Sequence, residues 1–119
     1  MICKARTELL DDQGTILVGE LGIARTFHER AVGLLGRRHL SSDQGLYLEC
    51  CCSVHMFGMR FPVDVVFLDA DGMIVRTVSA LRPWRFAVCR GAEHTLELAA
   101  GTVGALRLCK GQYLFPGSG

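Results

Sequence analysis

Val63-Asp64-Val65-Val66-Phe67-Leu68-Asp69-Ala70-Asp71-Gly72-Met73-Ile74-Val75-Arg76-Thr77-Val78 decides the fold. Residues 63–68 are β-branched and aromatic, the side chains that suit a pleated, half-buried surface. Residues 73–78 return with the same character. Asp-Gly between two apolar runs is the strongest short-range signal for a hairpin. Working outward, residues 4–10 and 15–23 read as strands around the turn Asp11-Asp12-Gln13-Gly14. Leu46–Cys52 reads as a strand and Ser53–Pro62 as a loop. Arg82-Pro83-Trp84-Arg85 reads as a turn, and residues 86–90, 95–98 and 112–115 as short strands, with a helical turn over residues 102–108. Thr26-Phe27-His28-Glu29 has the form of a capping box. Phe27, Ala31, Leu34 and Leu35 follow at helical spacing, so one short amphipathic helix is expected over about residues 27–35, stopped by Gly36. Short strands with frequent turn signals and no regular strand–helix alternation predict a mainly β protein. The expected form is a compact antiparallel β-sandwich or barrel-like fold with that one helix.

The chain of 119 residues has the size of a single domain, residues 1–119. Half of it is hydrophobic and 21% is charged, enough for a real core. Thirteen Lys and Arg against twelve Asp and Glu leave a net charge of +1, so no electrostatic footprint points to nucleic acid or an anionic membrane. No apolar run approaches the roughly 20 residues of a membrane helix. The basic N-terminus has no apolar stretch behind it, so a cytoplasmic location is expected. The remaining partner classes are a small molecule or a protein, on a monomer or weak dimer.

The segment Val54-His55-Met56-Phe57-Gly58-Met59-Arg60-Phe61-Pro62-Val63-Asp64 sets a His, an Arg and an Asp among apolar residues. Asp64 shares a strand face with Val66 and Leu68, and a carboxylate there is expensive to bury without a donor. His55 and Arg60 are the nearest candidate donors in sequence, and Arg30 or Arg37 could reach the same point from the helix. His55, Arg60, Asp64 and Arg37 thus form a candidate floor for an anionic or hydroxylated small ligand, a guanidinium offering carboxylate or phosphate a planar fork. The alternative is a satisfied structural network with no ligand, in a domain that works as a non-catalytic interaction or accessory module. No Gly-x-Ser-x-Gly elbow is present, so no catalytic residue is assigned. The aromatic rings of Phe57, Phe61, Phe67 and Phe86 are expected in the core.

Six cysteines without a Cys-x-x-Cys pair argue against a zinc ribbon or a thioredoxin-like motif, and free buried thiols are expected. Were residues 46–52 one strand, Cys50 and Cys52 would share a face and, with His55, could offer soft metal ligands in a metal or thiol-redox protein. No motif calls for a cofactor.

These residues resemble a known family. Glu29-Arg30, Gly33-Leu34-Leu35-Gly36-Arg37, Leu40 and Gly45-Leu46 are similar to its first block. His55 through Asp69 with Gly72 is similar to its central block, and Leu96-Glu97-Leu98, Ala100-Gly101-Thr102 and Gly111 to its last. The family is the one known as domain of unknown function 192, and the resemblance covers about residues 20–115. It implies a compact, mostly antiparallel β fold with a short packed helix and a bacterial or archaeal origin. It implies no established activity.

Overall fold

The computed structural model describes residues 5–26, 34 and 37–117. The hairpin that decides the fold is present. Strand β5, Val63–Leu68, turns through Ala70-Asp71-Gly72 into β6, Ile74–Leu81. Asp69 shapes the turn, its Oδ1 accepting from the amides of Asp71 and Met73, both at 2.9 Å. Gly72 takes φ 88°, a conformation that disfavours a side chain.

The other strands are β1 (Ala5–Asp11), β2 (Ile16–Ala24), β3 (Gln44–Leu48), β4 (Ser53–His55), β7 (Phe86–Val88), β8 (His94–Ala99) and β9 (Leu114–Pro116). Among the described residues, seven of these nine strands form one sheet in the order β6-β5-β8-β3-β2-β1-β9. All its pairs are antiparallel except β2 with β3, so the sheet is mixed. Its edges approach each other: Met73 bridges Tyr113, Leu114 donates its amide to Gly72 O at 2.9 Å, and Ile74 donates to Gln112 O at 2.7 Å. The sheet therefore rolls into a barrel whose seam lies at the tip of the β5–β6 hairpin.

Alternation along β5 explains two cores. Val66 and Leu68 join Leu9, Leu21, Leu96, Leu98 and Ile74 in the barrel interior. The short helix α1, Thr102–Ala105, and the residues after it add Val103 and Leu108 to that interior. Val63, Val65 and Phe67 point outward, yet every residue of β5 is buried. Their cover comes from β4 and β7, a separate two-stranded antiparallel pair, through Val54, Met56 and Ala87, with Leu34 in the same cluster.

Three expectations need correction. Leu46–Cys52 is not one strand: β3 ends at Leu48, and Glu49-Cys50 form a turn with Cys50 at φ 54°. The segment 53–62 is not all loop, because Ser53–His55 pair with Phe86–Val88. The expected helical turn over 102–108 is confined to α1. The helix expected over residues 27–35 lies, Leu34 apart, outside the described residues. No helix among the described residues is long and apolar enough to cross a membrane.

Candidate functional site

Asp64 is fully buried, and its donors are backbone amides. Ala80 donates to Oδ1 at 2.8 Å, while Gly101 and Val103 donate to Oδ2 at 3.0 and 2.8 Å. Gly101 precedes α1 and offers no side-chain cap, so a carboxylate from β5 takes up orphan amides at this helix start. Neither an imidazole nor a guanidinium is bonded to Asp64 among the described residues. The carboxylate is a structural fastener.

The other sequence candidates lie elsewhere. His55 is exposed on β4, its ring 5.2 Å from that of Phe57. Arg60 is exposed in the loop between β4 and β5. Arg37 bonds Gln44 Oε1 at 3.1 Å, and Gln44 in turn bonds Glu20 at 3.3 Å, two strands across the sheet from β5. Among the described residues no three His, Cys, Asp or Glu side chains are placed to hold a metal. The reason for Cys50, Cys52 and His55 is geometric. Cys50 sits in a turn, and the two-residue period of β4 turns Cys52 and His55 to opposite sides. Cys50, Cys52 and Cys109 are also exposed rather than buried.

Two of the rings expected in the core are outside it. Phe57 is 49% and Phe86 67% exposed, whereas Phe67 is buried. They gather with Trp84, 67% exposed, and Val88, 44% exposed. Along β4 and β7 the buried residues are Val54 and Ala87, so Ser53, His55, Phe86 and Val88 face out as the cross-strand pairs Ser53–Val88 and His55–Phe86. Phe57 stacks on Trp84 with ring centroids 6.1 Å apart. A shallow groove of about 290 Å³ runs along Ser53, His55, Phe57, Phe86 and Val88.

Trp84 sits at φ 70°, a costly conformation for a bulky residue. Its amide is tied to Met56 O at 2.8 Å, and Met56 donates to Arg85 O at 2.7 Å. Exposed Arg60, Arg82 and Arg85 occupy the loop and turn that these bonds join. Arg82-Pro83-Trp84-Arg85 and the alternation of Phe86 and Val88 were the available sequence signals for this face. Their meeting with His55 and Phe57 depends on β4 pairing with β7 across 30 intervening residues.

Two buried groups have shifted acidities. Burial raises the Glu97 carboxyl to about 7. Tyr47 is pushed up to about 12, first by burial and then by the negative charge of Glu49 and Cys50.

Comparisons with known proteins agree with this architecture. The chain is 33% identical to a UPF0127 protein of Thermococcus sibiricus over 96 residues, 76% of this chain and 62% of that protein's length. It is 33% identical to a UPF0127 protein of Pyrococcus furiosus over 99 residues, 80% of this chain and 84% of that one. A solved structure from Sinorhizobium meliloti 1021, provisionally described as a transcription regulator, superposes with a TM-score of 0.83 at 25% identity, covering 98% of this chain and 97% of that one. A protein of unknown function from Novosphingobium aromaticivorans superposes with a TM-score of 0.79 at 19% identity, over 93% and 84% of the two chains, and shares the fold. Residues 8–115 match the family described as Uncharacterized ACR, and the chain belongs to that family, domain of unknown function 192.

Proposed function

We propose that the chain is a non-catalytic interaction domain that docks an acidic, aromatic-bearing peptide segment on the outer face of β4 and β7. One observation carries this reading: four large apolar side chains, Phe57, Trp84, Phe86 and Val88, are exposed together on one small face. Trp and Arg dominate the anchors of protein interfaces, where aromatic side chains fill the centre and charges line the rim. The positive φ of Trp84 holds an apolar ring in solvent at a cost in backbone strain, and such strain gathers at functional sites. Arg60, Arg82 and Arg85 favour carboxylates in the partner. Three arginines are few for a phosphate backbone on a domain of net charge +1, which favours peptide over nucleic acid.

Trp84 is the one tryptophan of the chain, so its emission reports on this face. Titration with a random Glu–Tyr copolymer is expected to give a saturable, salt-weakened change in that emission. No change, an equal change with a Lys–Tyr copolymer, or tighter binding to oligothymidine overturns the reading. So does a concentration-dependent change in the protein alone, which would assign the face to a second copy.

A second reading rests on the groove itself. Ser53 and His55 supply hydrogen-bonding groups between apolar walls of Phe57 and Phe86, with Arg60 in the following loop. That set suits a small anionic or hydroxylated ligand, with Asp64 and Arg37 outside the site. At 100 times its dissociation constant such a ligand adds about 2.7 kcal/mol of stability. A thermal-shift screen of sugars and carboxylates in which none raises the melting temperature contradicts this reading.

A further inference from the structure

We propose that Cys52 and Cys89 are a thiol pair built to close into a reversible disulfide by exchange with a low-molecular-weight disulfide. The register of β4 and β7 pairs Ser53 with Val88, Val54 with Ala87 and His55 with Phe86, which sets Cys52 opposite Cys89 at the next step. The Cys89 amide donates to Cys52 O at 2.9 Å, one of the two bonds of a hydrogen-bonded cross-strand pair, while Cys89 O accepts from the Ala92 amide at 3.0 Å. Such pairs hold their Cα atoms about 5.5 Å apart, inside the span of about 4.4–6.8 Å that a disulfide bridges. By the two-residue period both side chains leave on the side used by Val54 and Ala87.

The neighbouring thiols are placed differently. Cys51 directs its Sγ to Ser53 O at 3.0 Å, and Cys50 sits in a turn with its amide on His94 Nδ1 at 3.1 Å. Cys52 is exposed and Cys89 half-buried, so Cys52 is the point of entry. Its thiolate attacks one sulfur of oxidised glutathione, the S–S bond breaks and one glutathione thiolate leaves. The Cys89 thiolate then attacks the Cys52 sulfur of the mixed disulfide and expels the second glutathione. The protein loses two hydrogens and the small disulfide gains them as two thiols. The bond would staple the end of the strand pair that carries Phe86 and Val88.

The test treats the full chain with oxidised glutathione, blocks free thiols and digests it with trypsin without reduction. The expected product joins the peptide spanning residues 39–60 to the peptide spanning residues 86–90, in the unaltered chain and in a Cys50→Ser/Cys51→Ser variant. The link should vanish in Cys52→Ser and in Cys89→Ser, and on adding dithiothreitol. A link that survives Cys52→Ser, a bridge inside the 39–60 peptide, or glutathione adducts alone would overturn the proposal.

Discussion

Asp64 and Ala80 hold each other in place across a β-bulge. Between the pairs Val63–Leu81 and Val65–Val78, β6 spends two residues, Ser79 and Ala80, opposite the single Asp64. Ala80 reaches φ 51° there, and its amide donates to Asp64 Oδ1 at 2.8 Å. The other carboxylate oxygen fastens Gly101 and Val103 at the start of α1. One side chain thus joins an irregular strand edge to the helix at the barrel end. Asp64→Ala leaves three amides without this acceptor and is expected to cost about 3 kcal/mol or more, with Asp64→Asn intermediate. Urea denaturation measures both; a loss below about 1 kcal/mol for Asp64→Ala would contradict the fastener role.

Glu97 predicts a pH dependence. Its folded-state carboxyl lies at about 7, above the ordinary value of 4.5, because of burial. The folded chain therefore binds this proton more tightly than the unfolded chain. The stability that follows is fully present below about pH 4.5 and is lost as pH rises through 7. Across that window the loss amounts to about 3 kcal/mol. Glu97→Gln should flatten the fall between pH 5 and 8 in paired denaturation curves. An equal slope in both proteins would assign the dependence to other groups.

The barrel seam is tested at Gly72. A Cβ there would stand 2.7 Å from Phe115 Cε1 and 2.8 Å from Leu114 O, so backbone must shift. Gly14 also has a positive φ, 80°, but nothing lies within 4 Å of a Cβ built on it. Gly72→Ala should cost about 2 kcal/mol or more, through strain and clash, and Gly14→Ala about 1 kcal/mol, through strain alone. Equal melting shifts for the two variants would mean that the seam is loose.

Most of the strand set was legible because period and turn chemistry are local. Val63–Leu68, Asp-Gly and the return strand specify their hairpin without outside help. The partners of Asp64 were not legible. Gly101 and Val103 come from 37 and 39 residues away, and backbone amides have no signature in a sequence. The parallel pairing of β2 with β3 was hidden for the same reason. Phe86 illustrates a different limit. An aromatic residue in a short strand reads as core unless the face it lies on is known, and that face is set by pairing with β4.

Trp84 separates binding from stability. Its side chain is 67% exposed, so Trp84→Phe should change stability by no more than about 0.5 kcal/mol. Affinity for the Glu–Tyr copolymer, read by anisotropy of a labelled copolymer, should fall about tenfold or more in Trp84→Ala, as for an interface anchor. Unchanged affinity in Trp84→Ala would mean that this ring does not anchor the copolymer.

Docking on the β4–β7 face is tested by amide chemical-shift mapping of the full chain during titration with the Glu–Tyr copolymer. Perturbations are expected to concentrate in residues 53–60 and 82–90, with the amides of Ala80, Gly101 and Val103 unmoved around Asp64. Perturbations centred on those three amides, with the β4–β7 face silent, would contradict docking there.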